Sequence, residues 1–353
     1  MENETVMVIE IGGSHDECLL TQFHALKLDN KRIVFVSTEE VMQRNPVFYE
    51  YIDQFFLFDK SSLKKSFKMA RRIKKLVKMV KAKTVIMNTA HGNTMRNLSI
   101  ISLFSKVQFL GILHTIIKLE GSFTQRVISL KVKKYYLLSE FLYRKAKIIS
   151  KLDFTWFYPL RFDFQLESPA IKEKKLKIVI IGGVESRRKD LLGFVDMIDN
   201  LTEDVQFVFL GKSDPNNDEV CRFKQRLNEK KCSEKVTLFD SFVENETFAQ
   251  IVQSCDAILP LVHPVTPSAK EYFNRQISGA MTVAFGYKKP LLIHEGYKHI
   301  EELAQACVYY NQENFKEIIK ERETLIELED KMKTMLFLKE ETQEKRYLDF
   351  LHS

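Results

Sequence analysis

Short apolar runs and amphipathic stretches alternate along the first half of the chain. The apolar runs lie at Val6–Ile11, Ile33–Ser37, Phe55–Phe58, Thr84–Asn88, Val107–Leu113 and Tyr135–Ser139. Such runs, bounded by turn residues, predict buried strands of a parallel sheet, and the amphipathic stretches predict helices between most of them. After the first run, Ser14 and Glu17 have the spacing of a capping box, which predicts a helix start. The alternation predicts an α/β domain with a doubly wound sheet.

The second half of the chain repeats this pattern. Its apolar runs lie at Lys177–Ile181, Val205–Leu210, Lys235–Phe239, Asp256–Val262, Pro290–His294 and Cys307–Tyr310. Helices are predicted between them at residues 190–200, 217–230, 246–254 and 276–286, and the charged stretch from Asn314 onward is predicted to be helical. The sequence therefore predicts a second α/β domain of similar architecture.

The segment between the halves predicts a linker. Pro159–Lys175 contains two prolines and a polar stretch with little periodicity. A chain of 353 residues is also long for one hydrophobic core. We predict two facing Rossmann-like domains, the first at residues 1–165 and the second at residues 176–325.

The composition of the chain indicates its cellular compartment. The five cysteines are scattered without a C-x-x-C pair, which suits a reducing cytosol and predicts neither disulfides nor a zinc site. Met1–Glu4 lacks the basic start of a signal peptide, and the longest nearly apolar run, Phe109–Leu119, is too short to span a bilayer. We therefore expect a cytoplasmic protein.

The net positive charge lies in the first half of the chain, which favours an anionic partner there. Residues 1–170 contain 27 Lys and Arg against 16 Asp and Glu. Within them, Lys60–Lys83 has eleven basic residues, no acidic one and an apolar stripe at helical spacing. A basic amphipathic helix of this kind predicts peripheral association with an anionic membrane at its inner face. Nucleic acid would fit the charge, but no reader motif accompanies it, so we predict no nucleic-acid partner.

The stretch Lys177–Asp190 carries the strongest chemical signal. It joins an apolar strand, a glycine turn and a helix start that carries Arg187, Arg188 and Lys189. A helix start offers N–H groups and the positive end of a dipole, so a diphosphate is its natural ligand. Ser278-Gly279 opens another helix and predicts a second such nest. The alternative is that the glycines only turn the chain and the cations are solvated.

The loops after the first-domain strands carry Gly12-Gly13, His91-Gly92 and His114-Thr115. A histidine just past a strand can accept a proton or hold a substrate hydroxyl, although it can also be a satisfied structural residue. No phosphate-binding G-x-x-x-x-G-K-[ST] motif, D-x-D metal pair or G-x-S-x-G elbow occurs. We therefore predict no metal, and expect protein cations and helix dipoles to stabilise a leaving diphosphate.

These residues resemble the GT-B glycosyltransferases, most closely the large retaining group called family 4. The resemblance covers nearly the whole chain and is carried by GGVESRRKD, VQFVFLGK, VTLFDSFVENETFAQIVQSCDAILPL and SGAMTVAFGYKKPLLI. It implies the GT-B architecture, with a C-terminal helix at residues 326–353 that crosses back to the first domain.

The resemblance also implies roles for individual residues. In the second domain it implies a donor-diphosphate site at Gly183, Arg187, Arg188, Lys189, Ser278, Gly279 and Ala280, and nucleobase contacts at Phe242 and Val243. In the first domain His114, in GILHT, resembles the cleft histidine of the family and is the candidate catalytic residue. Gly12 and Gly13 resemble the loop after the first strand, and with His91 they are the candidate acceptor residues.

One family feature is not matched. Family 4 enzymes usually carry two glutamates eight residues apart, whereas here Glu271 is followed eight residues later by Gly279. The predicted function is metal-independent transfer of a sugar from UDP- or GDP-sugar to a glycan or lipid-linked acceptor, in cell-surface polysaccharide synthesis, without a cofactor. Two alternatives stay open: a nucleotide-sugar epimerase of the GT-B fold, and a non-catalytic protein that binds sugar nucleotides.

Overall fold

A computed structural model describes residues 3–13, 15–59, 65–164, 175–202 and 204–353. The chain divides into two compact units. Unit 1 contains Met1–Phe162 and Glu340–Ser353, and unit 2 contains Asp163–Lys339. Ser14 of the predicted capping box, residues 60–64 of the predicted basic helix and residues 165–174 of the predicted linker lie outside the described residues.

Unit 1 is built on a seven-stranded parallel sheet. Its strands are β1 (Thr5–Ile9), β2 (Arg32–Ser37), β3 (Gln54–Leu57), β4 (Thr84–Met87), β5 (Gln108–Leu113), β6 (Lys134–Leu137) and β7 (Asp153–Trp156). Their order across the sheet is β3-β2-β1-β4-β5-β6-β7. All five residues of β1 are buried, because a doubly wound sheet is covered on both faces.

Unit 2 is built on a six-stranded parallel sheet. Its strands are β8 (Leu176–Ile181), β9 (Val205–Lys212), β10 (Val236–Phe239), β11 (Ala257–Ile258), β12 (Leu291–His294) and β13 (Cys307–Tyr310). Their order is β10-β9-β8-β11-β12-β13. The core joins β8 and β9 to the helix that follows β8, where Phe194 packs edge-on against Phe207 and Phe209.

Helices connect most of the strands. In chain order they are α1 (Leu19–Leu28), α2 (Glu39–Arg44), α3 (Ser66–Met79), α4 (Gly92–Ile101), α5 (Phe123–Lys131), α6 (Glu140–Ile149), α7 (Leu191–Ile198), α8 (Asp218–Glu229), α9 (Asn245–Ser254), α10 (Ala269–Asn274), α11 (Gly279–Gly286), α12 (Phe315–Lys320), α13 (Arg322–Thr334) and α14 (Glu340–His352). Short 3-10 turns lie at Asp16–Cys18, Pro46–Glu50, Ile117–Glu120, Ser233–Lys235, Glu295–Tyr297, Glu301–Leu303 and Leu336–Leu338. Among the described residues, no helix combines the length and apolarity needed to cross a membrane.

Helix α14 belongs to unit 1 and contributes to its core. The ring of Tyr347 stacks on that of Tyr136 with 4.5 Å between centroids, and its hydroxyl donates to Gln22 Oε1 at 3.3 Å. The Tyr136 hydroxyl donates to the backbone oxygen of Tyr347 at 2.9 Å. The return to unit 1 starts at Glu340, whereas residues 326–339 belong to unit 2.

The predicted α/β class is confirmed, with three local differences. Strand β7 and helix α10 were not predicted, because a four-residue edge strand and a six-residue helix are too short to show a clear period. Strand β11 ends at Ile258 rather than Val262. Pro260 has no N–H for the ladder, and Leu261 takes a left-handed φ of 57°, so the strand cannot continue.

Candidate functional site

In each sheet the direction of winding reverses between two central strands. The reversal lies between β1 and β4 in unit 1 and between β8 and β11 in unit 2. The loops that leave the carboxyl ends of such strands diverge, which opens a crevice where ligands bind in open α/β sheets. The sequence-predicted residues fall on these loops and their neighbours, as two sets, one in each unit.

In unit 2 the loop after β8 crosses the end of β9 at very close range. Gly182 has a left-handed φ of 85°, and a Cβ at Gly183 would lie 1.9 Å from the backbone oxygen of Lys212, so both positions require glycine. Ser213 accepts a hydrogen bond from Val184 N at 3.1 Å, and its own N–H donates to Phe239 O at 2.7 Å. The loops after β8, β9 and β10 therefore form one connected edge.

Lys189 lies beneath this loop rather than in solvent. It is 6% exposed, and its ammonium donates to the backbone oxygen of Gly183 at 3.0 Å. Burial lowers the pKa of Lys189 to about 8, with the nearby Glu185 carboxylate acting in the opposite direction. The Lys189 ammonium has three N–H donors and only one acceptor among the described residues. Its other N–H groups can therefore bind an anion.

Arg187 and Arg188 are exposed and share one carboxylate. Glu185 accepts from Arg187 Nε at 3.2 Å and lies 3.4 Å from Arg188 Nε. The backbone oxygen of Arg187 accepts from both the N–H and the hydroxyl of Ser268, just before α10. The loop is thus held by its backbone, while the guanidinium groups pair at the surface, where ion pairs are weak and exchangeable.

A buried chain of hydrogen bonds supports the loop from behind. Asp190 caps α7 by accepting from Gly193 N at 2.9 Å, and its other oxygen lies 2.7 Å from His263 Nδ1. The opposite ring nitrogen of His263 lies 2.6 Å from the Tyr310 hydroxyl. The bond to His263 is the main cause of the lowered pKa of Asp190. This network connects the ends of β8, β11 and β13.

The other predicted donor residues lie along the same edge of unit 2. Ser278 caps α11 by accepting from Ala280 N at 3.3 Å, and α11 packs on β8 and β11. Space around Gly279 is open, so a ligand can approach the helix start there. In the loop after β10, Phe242 is exposed and Val243 is buried.

In unit 1, Asn88 organises the loops after β1, β4 and β5. Its side chain accepts from Gln22 at 2.7 Å and donates to Glu10 Oε2 at 2.8 Å, and its backbone oxygen bonds His114 Nε2 at 2.8 Å. Glu10 is fully buried and also accepts from Thr89. Burial raises the pKa of Glu10, although its hydrogen bonds oppose this. The loops are therefore joined through one buried carboxylate and one amide.

His114 and His15 form a stacked pair in this cluster. Their ring centroids are 3.6 Å apart and the planes differ by 16°. A carbonyl can only accept, so Nε2 of His114 carries the proton and Nδ1 presents a lone pair, which has no partner among the described residues. Burial, with the charge of His15, lowers the pKa of His114 to about 3. His114 is thus a neutral acceptor.

The pKa of His15 is shifted in the opposite direction to that of His114. His15 takes a left-handed φ of 68°, and its Nδ1 lies 3.3 Å from Glu17 Oε1. Burial lowers the pKa of His15, but the hydrogen bond and charge of Glu17 outweigh burial and raise it. Among the described residues, one atom each of His15, Glu17 and His114 lies within 4.8 Å of the others, close enough for one ion. The stacked rings cannot both aim lone pairs at that ion unless one rotates, so the geometry favours proton transfer or hydrogen bonding.

The other predicted acceptor residues lie around this pair. Gly12 N donates to Glu10 Oε1 at 2.7 Å, and Gly13, with a left-handed φ of 69°, accepts from Arg44 through its backbone oxygen. His91 is exposed at the start of α4, and burial of part of its ring is the main cause of its lowered pKa.

Comparison with solved structures gives the fold. No family model matches the sequence, and neither does any curated protein. HepE of Anabaena in complex with UDP aligns with a TM-score of 0.70 at 13% identity, covering 99% of each chain. A glycosyltransferase from Rickettsia africae aligns with a TM-score of 0.64 at 14% identity, over 99% of this chain and 94% of that one. The UDP-GlcNAc 2-epimerase of Methanocaldococcus jannaschii aligns with a TM-score of 0.60 at 12% identity over 99% of both.

The chain has the GT-B fold. Its neighbours include glycosyltransferases and epimerases, so the fold leaves the reaction open.

Sequence reasoning missed several residues of the two sets of loops. Glu10, His15 and Asn88 were absent from the predicted set, as were Asp190 and Tyr310. Glu10 gave a usable signal, because a carboxylate inside an apolar strand run requires buried partners. Asp190 also gave one, as an aspartate at a predicted helix start. His15, Asn88 and Tyr310 gave little, since most of their partners lie far away in sequence.

The two stacked histidines should titrate very differently. We expect His114 to stay neutral with its proton on Nε2 down to about pH 4, because it is buried and bonded to a carbonyl. We expect His15 to titrate above an ordinary histidine. Long-range ¹H–¹⁵N NMR of the imidazole rings measures both. Glu17→Gln should lower the pKa of His15, and Glu39→Gln, on the exposed side of α2, should leave it unchanged. A His114 that titrates like a free histidine would contradict its lowered pKa, and a proton found on Nδ1 would contradict the tautomer assigned above.

Proposed function

We propose that this protein is a glycosyltransferase that uses a nucleotide-diphosphate sugar as co-substrate. The donor, a UDP- or GDP-sugar, binds at the carboxyl edge of the unit 2 sheet. Gly183, Lys189 and Arg188, with Arg187, take the diphosphate, together with the α11 start at Ser278–Ala280. The loop at Phe242 and Val243 takes the nucleobase.

The observation that carries this proposal is the buried Lys189 under the Gly182–Gly183 turn, at the reversal point of the sheet. A lysine is rarely buried so completely without a charged partner, and its ammonium has only a backbone oxygen as described acceptor. The Glu185 and Glu219 carboxylates act on Lys189 only through their charge, and a diphosphate on the loop supplies a directly bonded charged partner. HepE, which has the same fold, was solved in complex with UDP, and this supports a uridine nucleotide.

For unit 1 we propose the acceptor and catalytic role. His114 has a buried, unprotonated Nδ1 without a partner among the described residues, and we propose that this atom accepts the proton of an acceptor hydroxyl or orients the donor sugar. His91 and the Gly12-Gly13 turn border the acceptor. We propose that no metal or other cofactor takes part, and that Lys189, Arg188 and the dipole of α11 stabilise the leaving diphosphate.

We further propose that the acceptor is a glycan or lipid-linked glycan of cell-surface polysaccharide synthesis, and that the protein works in the cytoplasm at the inner face of an anionic membrane. The described part of Lys60–Lys83 supports this, because Arg71, Lys75 and Lys78 on α3 are exposed. The apolar stripe of α3 is buried in unit 1, at Met69, Ala70, Ile73 and Val77.

The donor site predicts stabilisation by nucleotide. At a hundredfold excess over Kd, a ligand of the folded state adds about 2.7 kcal/mol to the free energy of unfolding. We expect UDP or GDP to raise the melting temperature in buffer with EDTA, and UMP or GMP, which lack the second phosphate, to raise it less. Thermal-shift measurement with all four nucleotides is the test. No shift with any nucleotide would contradict the donor site, and a shift that appears only with Mg²⁺ would contradict metal independence.

The epimerase neighbour justifies a second candidate. A nucleotide-sugar epimerase converts its substrate without an acceptor and without net release of UDP. NMR of UDP-GlcNAc incubated with the protein separates the possibilities. A new sugar-nucleotide isomer indicates an epimerase, whereas UDP release on addition of an acceptor indicates a transferase. Binding that leads to neither, with all acceptors tried, indicates a non-catalytic sugar-nucleotide-binding protein.

A further inference from the structure

Unit 1 contains a large basic groove at the edge opposite to His114. The groove has a volume of about 1240 Å³ and lies at the amino ends of β1, β2, β4 and β5. Its basic lining residues are Arg32, Lys74, Lys78, Lys81, Lys83 and Lys106. This edge of a parallel sheet is not where GT-B crevices open, so the groove is separate from the proposed acceptor site.

The positive charge of the groove is not balanced from within. Its two acidic residues are already paired, Glu4 with Lys31 at 2.7 Å and Asp53 with Lys27 at 2.8 Å. Lys78, Lys81 and Lys106 are exposed and have no acidic partner among the described residues. The excess of positive charge extends beyond the groove. Residues 65–134 contain sixteen Lys and Arg and one acidic residue, Glu120. A phosphate-bearing surface is the complement of this charge.

One wall of the groove also carries an apolar projection. The turn that follows α4 places Ser102, Ser105 and Lys106 in the groove. The same turn exposes Leu103 and Phe104, and the Phe104 side chain is 98% exposed. A fully exposed phenylalanine beside unpaired lysines is unfavourable in water alone and suits the boundary between lipid headgroups and acyl chains.

Helices α3, α4 and α5 extend this surface. Helix α3 packs against α4, and α4 packs against α5. The exposed apolar side chains of this layer include Phe67, Ile100 and Leu130. Because the apolar stripe of α3 is buried, α3 cannot lie in a membrane through that stripe, and the apolar contact has to come from the turn after α4.

We propose that the basic groove and the Leu103-Phe104 turn form a docking site for an anionic lipid membrane. Headgroup phosphates bind the groove lysines, while Phe104 inserts at the acyl boundary. This inference specifies the surface and the mode of the membrane association proposed above, and it is independent of the donor site. Exposed Leu103 and Ile100 beside Phe104 favour a membrane over a single-stranded nucleic acid, because aliphatic side chains suit an acyl phase and offer bases no stacking surface.

Vesicle flotation of the full chain tests the docking site. We expect binding to vesicles of equal parts phosphatidylcholine and phosphatidylglycerol, and little binding to pure phosphatidylcholine. The groove variant Lys78→Glu/Lys81→Glu/Lys106→Glu should reduce binding by at least about tenfold. Phe104→Ser should reduce it by about three- to tenfold. The matched controls carry the same changes on and after α6, as Lys145→Glu/Lys147→Glu/Lys151→Glu and Ile148→Ser, and should bind nearly like wild type.

A fluorescence measurement tests insertion directly. Trp156 is the sole tryptophan, so Phe104→Trp in a Trp156→Phe background gives one probe. We expect brominated lipids to quench it in anionic vesicles. Absence of quenching, or equal loss of binding in the groove and control variants, overturns the docking site. Binding of a single-stranded oligonucleotide as tight as that of vesicles, with or without Phe104, overturns it in favour of a soluble polyanion. If wild type binds no anionic vesicle, the membrane association fails as well, whereas the UDP thermal shift is unaffected in every case.

Discussion

Replacing Lys189 by Met should weaken UDP binding by about ten- to a hundredfold, the range expected for a lost charge-assisted hydrogen bond. Methionine keeps much of the length of the side chain and removes the ammonium that lies 3.0 Å from the Gly183 oxygen. Both the charge facing the diphosphate and the anchor of the glycine turn are then lost. Isothermal titration calorimetry with UDP measures the change.

The same ammonium gives the binding a pH dependence. In the free protein Lys189 has a pKa of about 8, so it loses its proton as the pH rises through that value. A diphosphate favours the charged form, so binding above about pH 8 must take up a proton, and Kd must rise with pH there. The Lys189→Met variant lacks this group and should show a flatter pH profile over the same range.

Two further variants separate binding from folding. Arg188→Met changes an exposed residue of the same loop and should weaken UDP binding without lowering the melting temperature. Lys230→Met is the control, because Lys230 pairs with Asp199 at the far ends of α8 and α7. If Lys189→Met and Arg188→Met both bind UDP like wild type, the loop does not hold the diphosphate.

Replacing Asp190 by Ala should lower the free energy of unfolding by about 2 to 4 kcal/mol, the sum of a lost helix cap and a buried donor left unpaired. Asp190 accepts from Gly193 N and pairs with His263, which is 3% exposed. Alanine has no side-chain oxygen, so the Gly193 N–H and the His263 ring nitrogen both lose their partner. Asparagine retains an oxygen for the cap, so Asp190→Asn should lose less. Chemical denaturation followed by circular dichroism measures the loss.

Acid should remove this stabilisation in wild type. The pKa of Asp190 is lowered in the folded protein, so its contribution is complete above the ordinary carboxyl pKa and is lost as the pH falls through the lowered one. Asp196→Ala on the same helix is the matched control, because within the described part of the chain Asp196 makes only a surface pair with Arg226 at 3.4 Å. It should change stability by about 0.5 kcal/mol or less. An Asp190→Ala variant as stable as Asp196→Ala would show that the network does not support the loop.

The basic segment Lys60–Lys83 shows what a local sequence pattern can and cannot predict. The periodicity of Lys60–Lys83 correctly predicted a helix with one apolar and one cationic face, and α3 has both within the described residues. The pattern could not show whether the apolar face meets lipid or the sheet, because both environments accept the same side chains. Burial of that face in unit 1 decided this, and the exposed Phe104, which we propose as the apolar contact instead, lies in a turn without periodicity.

The sequence by itself determined the two α/β domains, the glycine turn after β8 and the cations beside it. These follow from spacing along the chain, since strand and helix periods and glycine turns are local properties. Only the tertiary structure decided that Lys189 points inward, that Glu10, Asn88 and His114 meet, and that Asp190, His263 and Tyr310 form one chain. Those contacts join residues that are 26 to 78 positions apart in unit 1 and 47 to 73 apart in unit 2. Their meeting depends on the order of strands in each sheet, which local periodicity does not specify.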